Sequence, residues 1–180
     1  MYYTGVGSRK APSDVLDLMY RFAQLQRKRK LRSGNAYGPD TAFEQGALHS
    51  DIYLPWRKPN CKDNYIVNYT EKQNAFADGI LEEVFPYRIY RQTTRALFRR
   101  NVWQVIGLCH SVNDAIPSEF MVCYTEDGAT CEGEYVVGVT GGTGIAICIA
   151  DMFHVPVYNL GRFDHRQYIS DWVYFKEASI

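Results

Sequence analysis

The spacing of apolar residues changes period repeatedly along this chain, from short β-prone runs to the 3.6-residue recurrence of amphipathic helices. Residues 2–6 form a first β-prone run that ends at Gly5-Val6-Gly7-Ser8-Arg9. Ser13 stands where it can cap a helix in which Val15, Leu16, Met19, Phe22, Ala23 and Gln26 recur at helical spacing. Residues 31–33 read as a second strand. Pro39 suits a first helical position, and Ala42, Phe43, Gly46 and Ala47 form a narrow stripe that permits close packing, in a helix expected to end near Ser50. Residues 51–54 read as a third strand closed by Pro55. The polar, aperiodic segment 56–70 is long for a plain connection and is expected to be an ordered active-site loop or a lid. Helical patterns follow over 71–84 and 92–106, the second with Arg91, Arg95 and Arg99 at every fourth position. Residues 119–124 predict a strand, and 125–139 a turn with a small β excursion. A helix after Gly144 carries Ile145, Ala146, Ile149, Ala150 and Phe153 on one face, 155–160 a last strand, and 165–175 a closing helix. Strands alternating with helices predict an α/β, Rossmann-like doubly wound, mostly parallel sheet with helices on both faces.

Two glycine-punctuated turns each join a predicted strand to a predicted helix. One is Ser33-Gly34-Asn35-Ala36-Tyr37-Gly38-Pro39-Asp40 and the other Thr140-Gly141-Gly142-Thr143-Gly144. A helix N-terminus offers unpaired N–H groups and the positive end of a macrodipole, and glycine lets backbone approach a ligand closely, so both turns suit phosphates. In a doubly wound sheet both belong at the carboxyl edge of the strands, where ligands sit.

At 180 residues and 46% hydrophobic, the chain fits one domain over 1–180. It has no apolar run of about 18 residues, and Met1-Tyr2-Tyr3-Thr4-Gly5 lacks the basic and apolar parts of a signal peptide. The expectation is a soluble cytoplasmic protein without a membrane partner. Five cysteines, none in a C-x-x-C pair, argue against a disulfide framework or structural zinc. The dispersed His49, His110, His154 and His165 lack metal-site spacing, so neither a metal nor a cofactor is expected. Twenty basic residues balance twenty acidic ones, which weighs against a domain whose main work is gripping a nucleic-acid backbone. The dense basic run at 27–30 reads as a solvated helix terminus.

Tyr3-Thr4-Gly5-Val6-Gly7-Ser8-Arg9, the stretch from Leu31 through the first glycine turn to Glu44, Ile52-Tyr53-Leu54-Pro55-Trp56, Arg100-Asn101, and Gly141-Gly142-Thr143-Gly144 before Val155-Pro156-Val157 together resemble the SLOG superfamily of Rossmann-like proteins. More narrowly, they resemble the short bacteriophage proteins called DprA-like, after DNA-processing protein A. The resemblance implies a nucleotide-derived ligand at the strand tips. The superfamily includes phosphoribohydrolases of the Lonely Guy type, single-stranded-DNA binding in DprA, and sensors of cyclic ADP-ribose signals in antiphage defence. The Lonely Guy motif P-G-G-x-G-T-x-x-E places Thr140 where that motif has proline, Ile145 where it has threonine, and Cys148 where it has the catalytic glutamate. The cradle survives and the acid does not. Cys148 lies among Ile147, Ile149 and Ala150, an apolar setting that makes a thiol inert.

A carboxylate pair lies elsewhere, Asp40 and Glu44, spaced i and i+4 on one helix face. The plain reading is that both complement the dipole of the helix start. In an enzyme, Glu44 or Asp40 would be the catalytic acidic group, Glu44 being the better candidate for a base, while Asp40 would organise the turn or bind ribose hydroxyls. Ser8 and Arg9 can meet phosphate, Arg9 through a forked guanidinium. Arg95, Arg99 and Arg100 form a second candidate anion clamp, and Tyr37 and Trp56 are candidate base-stacking aromatics.

The leading expectation is a nucleotide binder without turnover. Its ligand would lie among Gly7, Ser8, Arg9, Ser33, Gly34, Asn35, Tyr37, Gly38, Asp40, Trp56, Arg95, Arg99, Thr140, Gly141, Gly142, Thr143 and Gly144. For a phage protein in the host cytoplasm, the use implied is sequestering an immune nucleotide of the cyclic ADP-ribose or cyclic oligonucleotide type. Two alternatives stand beside it: a nucleotide N-glycosidase or phosphoribohydrolase, and a DprA-like single-stranded-DNA binder that would use Arg95, Arg99 and the run around Arg29. Relatives in the superfamily self-associate, so a homodimer or larger assembly is expected.

Overall fold

Five short strands run parallel in one sheet with the order β3-β2-β1-β4-β5. The computed structural model describes residues 1–59, 61–62, 64–84 and 91–179. Along the chain these form β1 (Tyr2–Gly5), α1 (Ser13–Leu25), β2 (Lys30–Ser33), α2 (Pro39–Gly46), β3 (Ser50–Ile52), α3 (Glu71–Val84), α4 (Gln92–Ile106), β4 (Met121–Cys123), α5 (Gly141–Met152), β5 (Val157–Asn159) and α6 (Phe163–Glu177). In register, Tyr3 faces Leu31, Leu31 faces Ser50, Thr4 faces Met121, and Met121 faces Val157. The chain builds outward from β1 to β3, returns through α3 and α4, and re-enters beside β1 as β4. The strand order therefore reverses between β1 and β4, the place where open parallel sheets bind ligands.

Because strand side chains alternate between faces, each strand feeds two cores. Tyr3, Leu31, Ile52 and Val122 enter a cluster with Val15, Met19 and Phe22 of α1, Phe43 of α2, and Ile169 and Val173 of α6. Met121 and Cys123 turn the other way, to Val102, Trp103 and Ile106 of α4 and Ile145, Ile147 and Ile149 of α5. Helices cover both faces, as a parallel sheet requires.

Two polar strand residues also point toward α4. The Thr4 hydroxyl donates to the Gln104 carbonyl at 2.6 Å, and the Arg32 guanidinium donates to the Ile116 carbonyl at 2.5 Å while lying 3.8 Å over the Tyr2 ring. Arg32 is only 3% exposed, and burial holds its guanidinium below the usual arginine range. It thus acts as a buried donor to carbonyls around the end of α4.

Several boundaries differ from those predicted. Ser13 is the first residue of α1 rather than its cap; Pro12 occupies the cap position and no side chain bonds there. Helix α2 stops at Gly46, because Ser50 already pairs with Leu31 in the sheet. The run 27–30 is not simply solvated: Arg29 bonds Glu119 at 2.5 Å and Lys30 bonds Asp51 at 2.7 Å. The expected β excursion at 125–139 is absent, replaced by turns and a 3₁₀ turn at Glu132–Glu134. Its backbone donors are taken by side chains and by turn carbonyls rather than by a partner strand: Thr130 N–H donates to Glu134, Glu132 N–H to Asp151, Val136 N–H to Thr140, and Tyr135 N–H to the Glu132 carbonyl. Gly128 and Gly138, both at positive φ, bend the chain further.

Candidate functional site

The carboxyl edge brings together the loop after β1, the turn after β2, the segment 56–70 and the start of α5. Across the β1–β4 switch point, Ser8 N–H donates to the Tyr124 carbonyl at 2.9 Å.

The first glycine turn is satisfied from within. Asp40, 2% exposed, accepts N–H bonds from Gly34 at 3.1 Å and Ala36 at 3.4 Å, and lies 3.5 Å from Gln104 Nε2. A buried carboxylate thus occupies the place where those two amides would have met a phosphate. Burial raises the Asp40 carboxyl above its ordinary range, against the pull of Arg100 and the two amides. Ser33, fully buried, donates to the Gly5 carbonyl at 2.6 Å. Gly34 leaves room for side chains of α4, since a Cβ there would lie 2.6 Å from Gln104 Nε2 and 2.8 Å from Arg100 Cζ. Gly7 likewise makes room for Pro39, 2.7 Å from where its Cβ would stand. Gly38, at φ 92°, needs its glycine for the turn itself. Ser33, Gly34, Gly38 and Asp40, expected to touch ligand, each have a part in building the turn. Reading sequence alone, glycine for a ligand and glycine for a neighbouring helix look the same.

Cations surround this turn. Arg100 donates to the Gly34 carbonyl at 3.2 Å, and Lys58 Nζ donates to the Asn35 carbonyl at 3.0 Å. Burial first, then the charges of Arg100 and Arg9, hold the Lys58 ammonium below the usual lysine range, with Asp40 pulling the other way. Arg100 and Lys58 thus bond adjacent carbonyls of this turn, and the charges of Arg9 and Asp40 also reach Lys58. Lys58, absent from the predicted site, sits in an aperiodic segment where only its charge could have flagged it.

The second turn is more open. Gly141 and Gly142 are exposed, and a Cβ on either would meet nothing within 4 Å. Thr143 is half-buried, whereas Gly144 lies under the Tyr135 ring, 2.3 Å from where its Cβ would stand. Thr140, 1% exposed, donates to Asp127 at 2.5 Å and so ties the loop after β4 to the start of α5. Of the predicted cradle, Gly141, Gly142 and Thr143 are accessible and Thr140 and Gly144 are structural. Consecutive residues of α4 hold both turns: Arg100 the carbonyl of Gly34, and Asn101 the carbonyl of Gly142 at 3.0 Å.

Glu44 bonds a different set of partners from Asp40. It accepts hydrogen bonds from the Tyr65 hydroxyl, from Lys62 at 3.0 Å and from Asn35 Nδ2 at 3.0 Å. Burial pushes its carboxyl up, but these donors outweigh it and hold it below the ordinary carboxylate range. The two carboxylates shift in opposite directions because their surroundings differ. Glu44 in this state is an ionised hydrogen-bond acceptor, and the donors that lower its proton affinity make it a weak base. Its contacts fasten the segment 56–70, described except at 60 and 63, onto α2. Since the folded-state value lies below the ordinary 4.5, this stabilisation is present above pH 4.5 and is lost as pH falls through the folded value. Thermal unfolding followed from pH 6 downward is expected to show a steeper acid-side loss in the native chain than in Glu44→Gln.

Arg95 and Arg99 are engaged by α3: Asp78 bonds Arg95 at 3.1 Å and Arg99 at 2.6 Å. The predicted clamp reduces to Arg100. Tyr37, 78% exposed, and Trp56, 44% exposed, remain available for stacking at the edge. Burial pushes the Cys148 thiol up to about 12, in keeping with an inert core residue. Among the described residues no three His, Cys, Asp or Glu side chains gather as metal ligands would, and no helix is long and apolar enough to cross a membrane. Compared with protein-family models, with curated proteins and with solved structures, the chain matches none.

Proposed function

We propose that this chain binds a phosphate-bearing, nucleotide-derived ligand at the carboxyl edge of its sheet and holds it without turnover. The observation that carries the reading is that Arg100 and Lys58 bond the adjacent Gly34 and Asn35 carbonyls of one turn that also holds buried Asp40, with the charge of Arg9 reaching Lys58 as well. Cations brought together against their own repulsion favour an anion between them. The exposed amides at the start of α5 add donors of the right polarity, and α4 ties both turns to one rigid element. Tyr37 and Trp56 offer faces for a base.

Two features favour binding over hydrolysis. Asp40 is enclosed by its own turn, and the Glu44 oxygens already face three donors. The DNA-binding alternative loses weight, because Asp78, Glu119 and Asp51 partner the arginines and lysine that would have formed its groove. Sequestration of a nucleotide signal is the biological use that fits a binder of this kind.

Mass spectrometry of the chain purified from cells, first native and then denatured, tests this reading. The expected result is a co-purifying phosphorylated molecule released chemically intact. Recovery of only a hydrolysed base or sugar phosphate would overturn binding without turnover.

A further inference from the structure

Between α2 and the segment that Glu44 fastens lies a cavity of about 320 Å³, partly open to solvent, with Asn35, Thr41, Glu44, Lys58 and Tyr65 among its walls. Its size falls within the range of about 300–1,000 Å³ usual for small-molecule sites. Leu54 and Pro59 supply an apolar part of the wall.

The polar atoms facing this space have a specific character. A carboxylate offers about four acceptor positions. On Glu44, Tyr65 and Lys62 use one oxygen and Asn35 the other, which leaves Oε2 able to accept once more. Thr41 gives its hydroxyl proton to the Ala36 carbonyl at 2.8 Å, so its oxygen is left as an acceptor. Thr41 and Glu44 are spaced i and i+3 and share one helix face. Two acceptors side by side call for a ligand with two neighbouring hydroxyl donors. Lys58 stands on the wall of the same cavity and belongs also to the cation group around the first turn.

We infer that this cavity is a vicinal-diol subsite, in which Glu44 and Thr41 receive the 2- and 3-hydroxyls of a ribose whose phosphate lies against Lys58. The inference rests on the phosphate reading proposed above and deepens it. It assigns Glu44 the role of a specificity determinant rather than of an acid or base. It also makes the ligand a ribose derivative rather than a deoxyribose one, since loss of one hydroxyl leaves an acceptor without its donor.

Isothermal titration with ribose 5-phosphate, 2-deoxyribose 5-phosphate and inorganic pyrophosphate tests it. The expected result is a preference of about tenfold or more for ribose 5-phosphate over the deoxy sugar. Glu44→Gln should bring the two sugars to within about twofold, with pyrophosphate binding retained. Thr41→Val, which leaves the Glu44 contacts in place, should narrow the preference in the same direction and serves if Glu44→Gln does not fold. Equal binding of the two sugars with pyrophosphate still bound would overturn the diol subsite and leave the phosphate reading standing. No binding of pyrophosphate or of either sugar would overturn both.

Discussion

Alanine at position 46 is expected to lower stability by about 3 kcal/mol, read as a fall in Tm of roughly 6–12 °C for a chain of this size. Helices α1 and α2 pack closely where Gly46 meets Tyr20 and Ala23. A Cβ at 46 would stand 2.2 Å from the Tyr20 carbonyl oxygen and 2.9 Å from Ala23 Cβ. A flexible side chain could yield to such an intrusion, but a helix backbone cannot without separating the two helices. The matched control is Gly79→Ala in α3. Gly79 is exposed and helical, and its added Cβ meets nothing within 4 Å, so alanine there should raise stability by about 0.5–1 kcal/mol. Thermal melts of the two variants should therefore move in opposite directions. A Gly46→Ala melt equal to that of the native chain would contradict the close helix approach.

The second large effect concerns the ligand. Arg100→Ala is expected to weaken binding of a nucleoside diphosphate about 100-fold, which corresponds to roughly 2.7 kcal/mol. Arg100 bonds the Gly34 carbonyl, lies beside buried Asp40, and adds to the positive potential that Lys58 experiences. Its removal takes away a cation and also a charge that favours the ionised form of Asp40. Arg100→Lys keeps the charge and loses the planar fork, so an intermediate loss of about tenfold is expected. Arg21→Ala, which removes an exposed partner of Glu177 on α1, should leave affinity within about twofold. Titration calorimetry on folded variants, checked by circular dichroism, reads these differences. Equal affinity in Arg100→Ala and the native chain would remove Arg100 from the site.

How much of this was legible in the sequence depended on whether a feature was local. The stripe of Ala42, Phe43, Gly46 and Ala47 predicted close packing, and Gly46 does meet α1. The spacing over 92–106 predicted a helix, and α4 spans Gln92–Ile106. The parallel, doubly wound sheet followed from the alternation of strand and helix patterns, although β4 and β5 are only three residues each and shorter than their apolar runs. Features set by distant partners were not legible. Nothing in the local pattern marks Arg32 as buried, yet it lies against carbonyls from residues far along the chain. Arginines at every fourth position read as a basic edge, but Asp78 on another helix neutralises two of them.

The candidate site divides in the same way. Its location at the glycine turns came from local pattern, because glycine, proline and a following carboxylate mark a strand-to-helix turn whatever surrounds it. Its working atoms did not. Whether Asp40 would face a ligand or its own turn depends on the backbone path of residues 34–36, and here the carboxylate closes back on Gly34 and Ala36. The parts Lys58, Asn101 and Gln104 play depend on which helix and which loop the fold brings beside that turn.

The measurement closest to the central claim is calorimetric titration of the intact chain with the nucleoside diphosphates of the common bases and with the corresponding nucleosides, at low and at raised salt. If Arg9, Lys58 and Arg100 together hold a phosphoryl group, at least one diphosphate binds about 100-fold or more tightly than its nucleoside, and its affinity falls as salt rises. Binding of a nucleoside as tight as that of its diphosphate, or no binding of any diphosphate at low salt, would contradict the account.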